Sequence, residues 1–142
     1  MFLPISNISM KNKLKKGLYS LLFLGLCSFS VRAQNTKGCK IVKDGTFKTK
    51  WDGHDYIIMR KGSFQRELYP FKKLNVSFAV KWIDDCTYTL TPNPDVYKAQ
   101  PETPKGNIVT VKVIKITPKG YLQRSTSNKS DYVFTSEFER VK

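Results

Sequence analysis

Residues 76–90 of the chain read VSFAVKWIDDCTYTL, and this stretch decides the fold. In residues 76–82 every second side chain is large and apolar, and the same period of two returns in residues 86–90. Successive side chains of a β-strand point to opposite faces, so this period is typical of half-buried strands. Asp84-Asp85 lies between the two runs and favours a turn. The stretch is therefore predicted to form a β-hairpin.

The same pattern extends along the chain on both sides of this hairpin. Runs rich in β-branched and aromatic residues alternate with turn residues, and no segment after residue 33 has a helical stripe. The further predicted strands are residues 39–42, 46–51, 56–60, 64–71, 108–117, 121–126 and 132–141. Asp44-Gly45, after the first of these, is favoured in tight hairpin turns. We expect an all-β fold, an antiparallel up-and-down meander of about eight strands that is a barrel or barrel-like, with a small sandwich as the alternative.

Two segments depart from simple alternation. Residues 92–106 contain four prolines and few apolar groups, which predicts a Pro-rich loop or flap. In residues 108–117 the three valines have one parity, whereas Ile114 and Ile116 have the other. Such a switch predicts a β-bulge or a strand that is buried on both faces.

The first 33 residues have the features of an export signal. Four lysines between residues 11 and 16 precede an uncharged apolar stretch, 18–31, of about fourteen residues. A membrane span needs about 20 residues, so this stretch is too short. Val31-Arg32-Ala33 has the small or branched residues that a cleavage site requires. We predict a signal-peptide helix over 1–33, with Met10 as an alternative start. Cleavage near Ala33-Gln34 would leave a periplasmic or secreted protein without a transmembrane span.

Loss of this segment changes the charge and the cysteine count. Residues 1–33 contain five basic and no acidic residues, so the net charge of +14 for the whole chain becomes +9 for residues 34–142. Cys27 leaves with the signal peptide, whereas Cys39 and Cys86 remain. In an oxidising compartment we expect these two to form a disulfide, and two free buried cysteines are the alternative. Residues 34–142 have the length of one domain.

A polar patch among aromatic residues is the candidate ligand-binding region. On a strand, Gln65 and Glu67 point to the same side, and Arg60 is close in sequence. If that side is inward, the patch would bind the polar head of a ligand; if it is outward, the patch is a solvated face. A buried charge among these groups would need a partner. The complete set of candidate ligand-binding residues is Arg60, Gln65, Glu67, Phe78, Trp82, Tyr88 and Phe134.

The chemistry of the sequence favours binding over catalysis. It contains no motif typical of a catalytic, metal or nucleotide site, so we expect no cofactor and no metal. The leading hypothesis is an exported, non-enzymatic binding or accessory protein for a small apolar or amphipathic ligand. One alternative is a basic protein whose dispersed lysines bind envelope lipids or glycans; nucleic acid is not expected as a partner. Another is a small enzyme whose acid or base is His54, Glu67, Asp84 or Asp85.

Two resemblances accompany these inferences. A signal peptide and a first mature cysteine, followed by DGTF at residues 44–47 and VKWIDDCTYTL at 80–90, resemble a group of small secreted bacterial proteins of unassigned function. Members are sometimes labelled automatically as DNA topoisomerase IV, but a topoisomerase needs a much larger domain and works in the cytoplasm. This resemblance covers roughly residues 37–90 and implies no catalytic residue. Gly45-Thr46-Phe47 in an early strand is similar to lipocalin-like barrels, which have tryptophan where this chain has Phe47.

Overall fold

Eight antiparallel strands make up most of the described chain. The computed structural model describes residues 36–141; the predicted signal peptide, its cleavage site and Met10 lie outside the described residues. The strands are β1 (Gly45–Trp51), β2 (His54–Lys61), β3 (Phe64–Tyr69), β4 (Leu74–Trp82), β5 (Thr87–Pro92), β6 (Val109–Ile116), β7 (Gly120–Ser127) and β8 (Ser130–Arg140). The remaining elements are an N-terminal 3-10 helix (Thr36–Val42), a 3-10 turn (Pro70–Lys72) between β3 and β4, and a short helix α1 (Pro94–Ala99) after β5.

The eight strands close into a barrel. Each strand pairs with the next along the chain, and β8 pairs with β1. This closing contact is short, since it comprises only the pairs Phe47–Arg140 and Lys48–Glu139. The predicted all-β meander is confirmed, and it forms a closed barrel instead of a sandwich. Closure gives every strand two neighbours and so removes the exposed sheet edges that promote aggregation.

The hairpin predicted from residues 76–90 is the pair β4–β5. Val80 lies opposite Leu90, and Trp82 lies opposite Tyr88. Val80, Leu90 and Tyr88 are buried, and Trp82 packs against the same core. The period of two in the sequence thus corresponds to the inward face of both strands.

Two backbone features adjust β6 and β7 to the closed barrel. The register between them shifts from Val113 to Lys115, which confirms the predicted β-bulge. A bulge bends its strand and increases the local twist. At the start of β7, a Cβ on Gly120 would lie 1.9 Å from the carbonyl oxygen of Phe138. Glycine is therefore required where β7 approaches β8 so closely.

The N-terminal 3-10 helix covers one end of the barrel, which we call the closed end. Its last residue, Val42, is 1% exposed and belongs to the core. The predicted disulfide is present, because Cys39 of this helix is bonded to Cys86, just before β5. The disulfide thus holds the helix against the corner between β4 and β5.

The prediction of a strand at residues 39–42 was wrong. These residues are part of the 3-10 helix, and Asp44-Gly45 is not a hairpin turn. Arg140 donates hydrogen bonds to the carbonyls of Ile41 and Asp44, the second at 2.9 Å. These side-chain donors satisfy backbone acceptors that would otherwise need a neighbouring strand. In addition, β1 already has β2 and β8 as neighbours, so a further strand has no free edge to join.

The Pro-rich segment 92–106 is not entirely a loop. Pro92 ends β5, and Pro94 begins α1, at a position where its missing N–H costs no helical hydrogen bond. The helix packs on the outside of β4: Ser77 donates to Asp95 at 2.8 Å, and Val96 is buried. Only six residues long, α1 is too short to show a helical stripe in the sequence.

We predict that removing the disulfide destabilises the barrel. The bond closes a loop with a sequence separation of 47 residues, and loss of such a cross-link costs about 2–4 kcal/mol. Urea unfolding of a Cys39→Ser/Cys86→Ser double variant should show a free energy of unfolding lower by this amount. A reductant should produce the same shift in the wild type and none in the double variant. Equal stability of the two proteins would contradict the prediction.

Candidate ligand-binding site inside the barrel

A cavity of about 260 Å³ occupies the part of the barrel away from the 3-10 helix, toward the end we call the open end. Trp51 and Tyr132 border it there and are 50% and 69% exposed, so the cavity is accessible from this end. Its walls are largely apolar: Ile58, Phe78, Leu90, Val109, Phe134 and Phe138. Its polar groups include Gln65, Glu67, Gln123 and Ser125. The cavity therefore combines an apolar wall with a localised polar region.

A buried guanidinium lies between this cavity and the closed end. Arg60 of β2 is 2% exposed, and its Nη1 donates to the carbonyl of Val42 at 2.6 Å. Its Nε donates to Gln65 Oε1 at 2.8 Å. Its Nη2 donates to the hydroxyls of Tyr88 at 2.6 Å and Tyr121 at 3.1 Å. One side chain thus connects the 3-10 helix with strands β2, β3, β5 and β7.

The donors of Arg60 fix the orientation of the groups above it. Because arginine has no acceptor, Gln65 must present its oxygen to Arg60 and its NH₂ group to Glu67. Gln65 Nε2 accordingly donates to Glu67 Oε1 at 2.6 Å. The other carboxylate oxygen of Glu67 accepts the hydroxyl of Tyr56. Glu67 is therefore held by two donors, with Arg60 one amide group away.

A second polar chain leads from the phenols into the cavity. Tyr88 donates to Gln123 Oε1 at 3.3 Å, and Gln123 Nε2 donates to Ser125 Oγ at 3.3 Å. On the neighbouring strand, the buried hydroxyl of Ser136 has no hydrogen-bond partner among the described residues. The polar side of the interior thus has hydrogen-bonding capacity that the protein does not fully use.

Burial dominates the electrostatics of this cluster. Burial raises the pKa of Glu67, and the hydrogen bonds from Tyr56 and Gln65 and the charge of Arg60 offset it only in part. Burial and the neighbouring Glu67 raise the pKa of Tyr56, and burial raises that of Tyr88. Burial disfavours the charge of Arg60, but the adjacent phenols outweigh this effect and raise its pKa. The cluster therefore holds a permanent cation and a carboxylate that is costly to ionise.

The seven predicted ligand-binding residues divide between two layers. Four of them line the cavity: Gln65, Glu67, Phe78 and Phe134. Arg60 lies below them, and Tyr88 is fully buried against it. Trp82 packs on Tyr88 with ring centroids 4.6 Å apart, and the ammonium group of Lys43 lies over the Trp82 ring, 4.9 Å from its centre. The polar patch does point inward, but Arg60, Trp82 and Tyr88 are not on the cavity wall.

Sequence reasoning missed further residues of the interior site, among them Trp51, Tyr56, Tyr121 and Gln123. Trp51 and Tyr56 line the cavity, Gln123 borders it, and Tyr121 binds Arg60. The period of two could have identified each of them. Each lies an even number of positions from a buried residue of its own strand and therefore points to the same face. Trp51, for example, shares the parity of Phe47, which is 0% exposed.

The residues considered for an enzyme are not brought together. His54 stacks on Phe71 with ring centroids 3.6 Å apart, beside the open end. Asp84 accepts the backbone N–H of Cys86 at 2.8 Å, at the closed end, and Asp85 lies beside it. Glu67 is inside the barrel between them. Within residues 36–141, no three His, Cys, Asp or Glu side chains form a group that could hold a metal ion.

Comparison with known proteins identified no relative of this chain. No protein-family model matches the chain, and no curated protein or solved structure shows significant similarity to it. Among the helices of the described residues, none is long and apolar enough to cross a membrane. The site must therefore be interpreted from its own geometry.

We predict that Arg60→Met destabilises the protein by about 3 kcal/mol or more. The substitution leaves the Val42 carbonyl and the Gln65 oxygen buried without their donors, and each such loss costs about 1–3 kcal/mol. Arg66→Met is the matched control, because Arg66 is exposed on the outer face of the neighbouring strand. Chemical unfolding measures both variants. An Arg60→Met protein as stable as the control would contradict the assigned role.

We also predict that Glu67 makes stability depend on pH. The raised pKa means that the folded protein binds this proton more tightly than the unfolded chain, whose ordinary value is 4.5. The free energy of unfolding of the wild type should therefore fall, relative to Glu67→Gln, as pH rises from 4.5 through the folded-state pKa. Unfolding curves at several pH values test this. Glu137→Gln is the control, because Glu137 is exposed. The prediction would be contradicted if the free energy of unfolding varied with pH in the same way in the wild type and in Glu67→Gln.

Proposed function

We propose that the chain is an exported, non-enzymatic binding protein that holds one small amphipathic ligand in the open half of its barrel. The observation that carries this proposal is the cavity of about 260 Å³ inside a closed eight-stranded barrel. A cavity of about 150 Å³ holds benzene, and drug-sized ligands occupy about 300–1,000 Å³. The size thus favours a ligand between these limits.

The lining favours an amphipathic ligand. Aromatic and aliphatic side chains such as Phe78 and Phe134 would cover its apolar body. Gln65, Glu67 and Gln123 would contact a polar head at one side of the cavity. Ligand pockets typically combine a mostly apolar lining with a few fixed polar groups that orient the ligand.

The layer below the cavity supports binding by a preformed site. Arg60 and its partners fill the closed half and hold Gln65 and Glu67 in place. A site that is already ordered loses less conformational entropy when a ligand binds. This arrangement favours retention of the ligand by a rigid barrel.

Export and the barrel architecture are consistent with this role. The disulfide between Cys39 and Cys86 is of the kind that persists in oxidising compartments, as the signal-peptide prediction requires. Barrels of eight strands have interiors just wide enough for side chains or one small ligand, as in lipocalins. The resemblance of Gly45-Thr46-Phe47 to lipocalin-like barrels supports the same proposal.

We predict that the cavity binds a ligand that copurifies with the protein. Native mass spectrometry after mild purification from the export route should show a bound small molecule. The chain has two tryptophans, and only Trp51 borders the cavity. In a Trp82→Phe background, removal and return of the ligand should therefore change the fluorescence of Trp51.

A cavity-filling variant makes this test specific. Ser125→Phe places a ring in the cavity and should weaken ligand retention by about tenfold or more. Thr135→Phe is the control, because Thr135 is exposed on the outside of β8. Two results together would refute the proposed function. The folded wild-type protein would carry no copurified molecule, and Ser125→Phe would change the binding of no compound in a ligand screen.

A further inference from the structure

Among the residues that the structure describes, Glu67 is the only charged one that lines the cavity. The other lining residues of this cavity are apolar, hydroxyl or amide side chains, although residues 34–142 carry 20 basic groups. An anionic ligand head would meet this carboxylate without any cation on the wall. Fatty acids and other carboxylates would be repelled by this carboxylate, even though the cavity is largely apolar and the protein is basic.

Within residues 36–141, no cationic side chain forms a direct ion pair with the carboxylate of Glu67. The described residues form salt bridges between Lys43 and Asp85 and between Lys50 and Asp55, and both pairs are at the surface. Arg60 is separated from Glu67 by the amide of Gln65. Burial outweighs the stabilising contacts of the carboxylate and raises its pKa. A cation in the cavity would supply the counter-charge that the protein withholds.

Aromatic rings surround the same region. The rings of Trp51 and Tyr56 have centroids 5.9 Å apart, and those of Trp51 and Phe134 are stacked at 5.2 Å. All three residues line the cavity with Glu67. The faces of aromatic rings attract cations, most strongly when water is excluded, and such groups recognise quaternary ammonium ions.

We infer that the ligand is a small amphipathic cation of low hydration, an alkyl- or aryl-substituted ammonium. Its charged head would lie between the carboxylate of Glu67 and the rings of Trp51 and Tyr56, and its apolar body against Phe78 and Phe134. This inference rests on the proposed function and specifies the chemistry of its ligand.

The remaining charges near Glu67 do not alter this assignment. A second cavity is lined by the same Trp51, Tyr56 and Glu67 and also by Lys72. Lys72 is exposed, and its ammonium group lies 5.9 Å from the ring centre of Tyr69. Its charge and those of the basic outer surface are exposed to solvent, where salt screens the repulsion that they exert on a cation. Salt should therefore not weaken binding of the cation.

Three probes of matched shape test the charge of the ligand head. They are benzyltrimethylammonium, its uncharged carbon analogue neopentylbenzene, and the anion phenylmethanesulfonate. Trp51 fluorescence in the Trp82→Phe protein reports binding of each. We expect the cation to bind about tenfold or more tightly than the neutral analogue, and the anion to bind weakest.

Glu67→Gln in the same background identifies the group responsible. Loss of the carboxylate should weaken cation binding by a factor of roughly 30 or more and should affect binding of the neutral probe far less. The control Glu137→Gln, on the outer face, should change neither.

The pH dependence gives a second readout, because the charge of a quaternary ammonium does not titrate. Cation binding should weaken as acid protonates Glu67, and this dependence should disappear in Glu67→Gln. The other ionisable groups that face Glu67 are Tyr56, Tyr88 and Tyr121, the guanidinium of Arg60 and, across the second cavity, Lys72. His54 lies at the rim of the open end, where its ring stacks on Phe71.

The outcomes separate this inference from the proposed function. Equal or tighter binding of the neutral probe, with no effect of Glu67→Gln, would overturn the cation assignment and leave a binding protein for apolar ligands. Failure of all three probes would also overturn it, and the proposed function would still stand if an uncharged molecule copurifies. Failure of the probes together with an empty native protein would refute both.

Discussion

The buried guanidinium of Arg60 is the interaction on which the rest of the structure depends. A permanent charge inside a barrel is costly unless its donors are paired. Here they are paired with one backbone carbonyl of the 3-10 helix, one amide and two phenols, which come from four different elements. The hydrogen bonds of this one guanidinium therefore fix the position of the 3-10 helix along the barrel axis at the closed end. They also fix the relative positions of β2, β3, β5 and β7.

This constraint also divides the interior into two layers with different properties. Around Arg60 the barrel is filled by Tyr88, Tyr121 and Phe47, all 0% exposed. Above it, the side chains of Ser125 and Thr49 are small, and the cavity remains. Glu67 lies at the boundary, where it faces the cavity and accepts hydrogen bonds from Gln65 and Tyr56. The proposed binding site needs no moving part, since its polar groups are oriented before a ligand arrives.

The sequence predicted the fold well wherever local pattern and tertiary environment agree. The alternation in residues 76–90 correctly predicted the hairpin, and the change of parity after Val113 correctly predicted the bulge. The predictions failed where side chains from distant strands replace the usual backbone partners. Residues 39–42 form a 3-10 helix because Arg60, Arg140 and the disulfide hold them from outside the local sequence. Helix α1 has no stripe to detect, and its place is set by contacts with Ser77 of β4.

For the site, the sequence by itself determined which side chains share one face of a strand, because the alternation of a strand is a local property. It therefore placed Gln65, Glu67, Phe78 and Phe134 together with Arg60, Trp82 and Tyr88 in one candidate set. Only the tertiary structure decided that the first four line a cavity and the last three lie beneath or outside it. The reason is that depth along a barrel axis depends on the stagger between strands at closure, which the period of two does not contain.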